Sequence, residues 1–196
     1  QAIVFNFDVA AGAYQAAKEF STKIGIILEG FETGDFTAFD WTSGGVTPWV
    51  ITNTGAFEGT YTAKSGSITN NQTTQLILQY EVSVNDSISF YRKVSSESGY
   101  DFMRFYIDNV KVGEWAGEIA WSKVGYAVTA GTHTFKWEFM KDVSVAGGSD
   151  CAWVDFITLP ATITTNGWAG NNAEICEGNT FQINATAANY TSLSWT

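Results

Sequence analysis

Glu32 and Asp155 are the residues of this chain best placed to do chemistry together. Glu32 lies in Gly30-Phe31-Glu32-Thr33-Gly34-Asp35, closely followed by Asp40-Trp41, and Asp155 lies in Ala152-Trp153-Val154-Asp155-Phe156-Ile157. These segments bracket most of the chain and read as the first and last strands of a β-sandwich. If those strands meet, the two carboxylates can share a hard cation. An ionised carboxylate between Trp153 and Ile157 is costly in apolar surroundings unless it is paired or metal-bound. The plainer alternatives are that both carboxylates solvate a strand end, or that they pair with a nearby lysine such as Lys64.

Other chemistry finds little support. Acyl transfer needs a nucleophile, a base and an orienting acid in mutual reach, and His133 is the one imidazole in the chain. It alternates with Phe135 and Trp137 just after the Ala130-Gly131 turn, which reads as strand-end packing. A Cys151–His133 dyad lacks a recognisable nucleophile context. Glu97 with Asp101, and Glu114 with Glu118, are the best loop pairs for glycoside hydrolysis, but solvated loop charges explain them. No glycine-rich phosphate loop follows a strand with the required spacing. No catalytic residues are therefore assigned, and no enzymatic activity is expected. Binding is harder to exclude. Tyr100, Trp115, Trp121 and Tyr126 fall in or near loops, where a ring can stack on a sugar while a residue such as Glu97 takes its hydroxyls. The competing reading is that these rings fill the core. Segments 95–100 and 142–150 are the places where a ligand site is expected.

The elements that must position these residues are strands. The chain has 196 residues, 45% hydrophobic and 15% aromatic, with 14 Phe, 8 Trp, 8 Tyr and 19 Gly. That is enough apolar material for a packed core, and its β-branched and aromatic bias favours sheet over helix. The formal charge of -10 repels phosphate backbones and anionic membrane surfaces, so nucleic acid is not expected as a partner. The same charge attracts Ca²⁺, although it also serves solubility. No apolar run approaches the roughly 20 residues of a bilayer span, so membrane insertion is not expected. Cys151 and Cys176 make neither a disulfide framework nor a zinc site; they either pair with each other or remain buried thiols.

Residues 1–26 alternate with period two on both sides of Ala10-Ala11-Gly12 and read as a hairpin. Residues 27–160 carry strand patterns at 49–52, 60–67, 75–82, 87–94, 102–107, 111–115, 121–128, 132–140 and 151–159. Turn signals at Asn85-Asp86, Asp108-Asn109 and Ala130-Gly131 separate them. About eight to ten antiparallel strands in one unit suits a jelly-roll β-sandwich. After Pro160 the composition shifts to a polar connector, and 161–196 read as a linker and the start of another β domain. With Trp195 as the penultimate residue, the chain reads as a piece of a larger protein.

Several segments together carry a family resemblance: FETGDFTAFDW at 31–41, PWVITNTGAFEGTYTAKSG at 48–66, VSSESGYDFMRFYID at 94–108, WSKVGYAVTAGTHTFKWEFMKD at 121–142 and GSDCAWVDFITLP at 148–160. They resemble the MAM-like or cleaved-adhesin jelly-roll modules of secreted bacterial proteins, including those that follow the catalytic domains of gingipain-type proteases. The segment ICEGNTFQINATAANYTSLSWT looks like the beginning of an Ig-like or PKD-like repeat of type IX-exported proteins, and residues 1–26 look like the last hairpin of another Ig-like domain. The resemblance implies a non-catalytic adhesion or accessory module, secreted or on the bacterial cell surface. Its implied partners are host or cell-surface proteins or glycans and neighbouring domains of the same chain. It also implies one structural Ca²⁺ held by Glu32 and Asp155, with carbonyls of the 57–61 turn around Gly59 and an oxygen from Gly34 or Asp35, toward the 6 to 8 oxygens that calcium takes. The family pattern has a second Asp where Phe156 stands. A carbohydrate-binding module targeting an appended enzyme is the alternative from another class.

Overall fold

The computed structural model describes the backbone of residues 2–11 and 14–23, and residues 27–161 in full. Cys176 and the segment read as the start of an Ig-like or PKD-like repeat lie outside the described residues. Strands β1 (Ala2–Ala11) and β2 (Tyr14–Lys23) pair antiparallel from Ala2↔Lys23 to Ala11↔Tyr14. The remainder, residues 27–161, belongs to one compact unit.

That unit is an antiparallel jelly-roll β-sandwich. Its strands are β3 (Ile27–Glu29), β4 (Trp41–Gly45), β5 (Val50–Thr52), β6 (Thr62–Lys64), β7 (Thr73–Val82), β8 (Asp86–Ser95), β9 (Phe102–Ile107), β10 (Val110–Trp115), β11 (Glu118–Val128), β12 (Gly131–Met140) and β13 (Cys151–Leu159). One sheet runs β10-β9-β12-β7-β4 and the other β11-β8-β13-β6-β5, with β3 added to β13. The described residues include no helix long and apolar enough to cross a membrane.

Period-two patterning builds the core. Leu76, Leu78 and Val82 of β7 and Phe135, Trp137 and Phe139 of β12 face Ile88, Phe90 and Val94 of β8 and Ala152, Val154, Ile157 and Leu159 of β13. Aromatic edges interlock across the gap, with Phe90 4.8 Å from Phe105 and 5.4 Å from Trp137, and Phe105 4.9 Å from Trp137. Each such ring contributes about 1.5–3 kcal/mol through burial. The expected strands at 102–107 and 151–159 have those bounds in the structure, whereas the run expected at 60–67 pairs only over Thr62–Lys64. The short strands β3 and β4 escape the pattern. In β4, Gly44 and Gly45 supply no side-chain period, and Gly45 is needed because a Cβ there would run into the Thr73 carbonyl.

The first and last strands of the unit do meet, with Glu29 opposite Ile157 and Ile27 opposite Leu159. At the other end a polar network ties together two loops, the one before β9 and the one between β12 and β13. Lys141, 2% exposed at its side chain, bonds Asp101 at 2.8 Å and Asp150 at 2.6 Å, and Asp101 also accepts the Asp142 amide at 2.9 Å. Asp101 is fully buried, so this lysine is its compensating charge. Lys141→Met should lower unfolding stability by about 3–5 kcal/mol, because it strands a buried carboxylate, while adding Asp101→Leu should recover much of the loss. Urea denaturation of the two variants checks this.

Candidate functional site

The site grows from an irregularity in β13. Phe156 has φ 48, and the β13–β8 register shifts between Asp155 and Thr158. A bulge of this kind re-aims the neighbouring side chain. Here Asp155 remains fully buried, and its Oδ2 accepts the amides of Phe57 at 2.8 Å and Glu58 at 3.4 Å, while Oδ1 accepts its neighbour Phe156 at 2.7 Å.

Glu32 reaches the same loop from the opposite end of the sequence. Its Oε1 accepts the amides of Thr60 at 2.9 Å and Tyr61 at 3.0 Å, and its Oε2 lies 3.1 Å from the Thr60 nitrogen. The two carboxylates thus hold one five-residue segment, 57–61, between β5 and β6. Gly59 lets them do so: it has φ 66, and a Cβ there would run into Glu32 Oε1. Gly34 closes the turn that carries Glu32, donating its amide to the Phe31 carbonyl at 2.9 Å, and the Tyr61 ring lies against it. Lys64 does not pair with either acid; its ammonium lies 5.7 Å from the Trp153 ring.

The 57–61 turn presents amide groups to the carboxylates, where the family resemblance implies carbonyls. Burial, above all, pushes the Asp155 carboxyl from 3.8 up to about 6; its amide bonds pull the other way, and the nearby Glu32 charge adds to the rise. A buried acid made costly by burial and by a neighbouring carboxylate, with no cation beside it among the described residues, fits a hard divalent cation in donor chemistry and charge.

Two further features were not anticipated. Glu29 is 2% exposed; its carboxylate takes the Phe31 amide at 2.7 Å and the Trp41 indole at 3.2 Å, fixing the start of the Glu32 turn. Burial raises its carboxyl above the usual range. Phe156, where the family has a carboxylate, instead belongs to an aromatic cover. Phe57 stacks on Tyr91 at 3.5 Å, with Phe156 and Trp121 edge-on to Phe57 at 6.2 and 6.1 Å.

The four possible ligand-binding residues occupy different settings. Trp121 joins that cover and donates to the Gly55 carbonyl at 3.1 Å. Trp115 packs on Phe90 and carries the Arg92 guanidinium at 4.6 Å. Tyr100 is 57% exposed in the turn after Glu97, whose carboxylate lies with Asp101 and Asp142. No ring contact joins Tyr100, Trp115 and Trp121 among the described residues. His133 is held by Asp108 at 2.6 Å and the Thr129 carbonyl at 3.0 Å. It sits in the five-stranded sheet, apart from Cys151 in the other, and burial raises the Cys151 thiol.

Solved structures share the architecture. The K1 cleaved adhesin domain of Lys-gingipain from Porphyromonas gingivalis matches over 70% of this chain and 99% of its own, with 14% identity and TM-score 0.53. The K3 cleaved adhesin domain of the same protein matches over 67% and 96%, with 12% identity and TM-score 0.52. The CBM22-1 xylan-binding domain from Paenibacillus barcinonensis matches over 70% and 95%, with 16% identity and TM-score 0.48. At these identities the adhesin likeness is one of fold. No protein-family model and no curated protein matches the chain, so the MAM-like and Ig-like parts of the resemblance rest on the quoted residues alone.

Asp155 makes a signed pH prediction. Its folded carboxyl binds a proton more tightly than its unfolded one, so its contribution is fully present below about pH 3.8 and is lost as pH rises through about 6. The difference corresponds to roughly 3 kcal/mol. In chelator, the stability of the native chain relative to Asp155→Asn should therefore fall by an amount of that order between pH 4 and pH 7, as read by urea unfolding.

Proposed function

We propose that this chain is a non-catalytic adhesion or accessory module of a secreted or cell-surface multidomain bacterial protein, beside a protease domain in the gingipain manner. Its jelly roll is stabilised by a structural calcium ion. The observation that carries the reading is the convergence of Glu32 and buried Asp155 on segment 57–61 with no compensating cation among the described residues.

Glu32 and Asp155 would hold the ion, with carbonyl oxygens near Gly59 and Gly34 as the remaining protein donors. Calcium would supply charge compensation for two neighbouring carboxylates, and no reaction step. The residues themselves already tie the chain ahead of β4 to β13 through one loop. An ion bound only by the folded state stabilises by mass action, which suits a module exposed outside the cell. Flanking Ig-like domains complete the proposed organisation, with residues 1–26 as the end of one and 161–196 as the beginning of the next.

A carbohydrate-binding module that targets an appended enzyme is the second reading. It is favoured by the half-open aromatic cover, in which Phe57 remains 38% exposed while stacked on Tyr91 beside Trp121. A glycan array separates the two readings, since the second requires saccharide binding and the first also admits protein partners.

For calcium, the expected result is a melting temperature higher in Ca²⁺ than in chelator. With calcium at about a hundred times its Kd, stabilisation is about 2.7 kcal/mol, or roughly 5–10 °C for a chain of this size. The double variant Glu32→Gln/Asp155→Asn should show no difference between the two conditions. An unshifted melt of the native chain after verified metal removal and re-addition would contradict the calcium reading.

A further inference from the structure

Arg92 is a cation in an unusual place. On β8 it occupies the inward-facing row with Ile88, Phe90 and Val94, each at most 1% exposed, and is itself 9% exposed. Its Nη1 donates to Ser122 Oγ at 2.8 Å. A guanidinium carries a fork of N–H donors, and no other acceptor among the described residues takes one; Nε is buried without a partner. No carboxylate among the described residues lies within ion-pair distance, although the chain has 20 acidic residues. The other well-buried cation, Lys141, has two.

Burial disfavours the charged form of Arg92, and the titratable group that faces it is the Tyr126 phenol. The Trp115 ring at 4.6 Å offsets part of the cost by cation–π attraction. A buried charge without a counter-charge is nevertheless destabilising, and proteins retain such groups where a ligand completes them.

Arg92 lies just inside one edge of the sandwich. β10 and β11 are the outermost strands of the two sheets. Across this edge Trp115 packs on Phe90, and Tyr126 packs on Phe105 at 5.3 Å. Gly113 lets the Trp115 ring and the Tyr126 hydroxyl pack directly on the β10 backbone, because a Cβ there would run into both. The edge therefore brings together a fixed guanidinium, a hydroxyl from Ser122, a phenol and an indole.

We propose that Arg92, on β8 just inside the sandwich edge formed by β10 and β11, is the carboxylate-binding element of a subsite for an acidic sugar. A carboxylate matches the unused fork of the guanidinium in geometry and charge. The ring that bears it offers hydroxyls to Ser122 and Tyr126 and an apolar face to the aromatic wall. A phosphate polymer fits less well, because the net charge of -10 repels it along its whole length. The inference rests on reading the chain as a binding module and adds where it binds and what charge it selects.

The test is calorimetric titration of the whole chain with galacturonate and glucuronate, each as monosaccharide and as short oligomer, against the methyl-esterified oligomers. The native chain should prefer the acids at least ten-fold over the esters, and Arg92→Met should lose at least ten-fold in affinity for the acids. Without ligand, Arg92→Met should melt at the same or a higher temperature, since it removes an uncompensated charge while keeping the buried stem. Absence of acid binding, no preference over the esters, or equal acid binding by both proteins would overturn the proposal. So would a marked drop in the melting temperature of Arg92→Met, which would show that the guanidinium is compensated by the fold itself. Neutral oligomers bound alike by both proteins would leave the binding-module reading standing while overturning the role of Arg92.

Discussion

Two carboxylates holding the backbone of one loop is the constraint on which the rest of this sandwich depends. Segment 57–61 joins the short strands β5 and β6, which have few ladder bonds of their own. Asp155 at the end of the fold and Glu32 near its beginning take the amides that this loop would otherwise leave unpaired. The same contacts place Phe57 on Tyr91, so an aromatic cover seals the carboxylate that anchors it. Burial then makes the charge on Asp155 expensive. The feature that organises the loop is thus also the one at which a cation is proposed.

The polar groups of the fold divide into those it compensates and those it does not. Asp101 has Lys141, and Glu114 has Arg104 and Lys111. Asp155 with Glu32, and Arg92 on the neighbouring strand β8, lack an opposite charge among the described residues. The first arrangement suits a cation and the second an anion, although the chain as a whole is acidic. Cost without compensation is what motivates the ligand proposed at each place.

Much of the sandwich was legible because alternation is strong wherever one sheet face is buried. The bounds of β9 and β13 follow from it directly, as do the inward rows of β7 and β12. Glu32 and Asp155 were legible as a pair because the segments around them bracket the unit. The direction of the peptide groups in 57–61 was not, since side-chain types do not say whether a turn offers amides or carbonyls. Glu29 was hidden at the end of an apolar run that read as the close of a hairpin. Arg92 carried a usable signal, its parity with Ile88, Phe90 and Val94, but a charged residue in a strand is ordinarily assigned to the wet face. Trp115 and Trp121 looked alike in sequence, yet one supports a buried guanidinium and the other an exposed cover, because they lie on β10 and β11 and meet different partners there.

Amide hydrogen exchange at Phe57, Thr60 and Tyr61 tests the clasp most directly. If Glu32 and Asp155 hold this loop, all three amides are protected in the native chain. Glu32→Gln should then accelerate exchange at Thr60 and Tyr61, and Asp155→Asn at Phe57, with the core amides of β8 and β12 little changed. Exchange at these three positions as fast as in an open loop of the native chain, or unaltered by either substitution, would contradict the account.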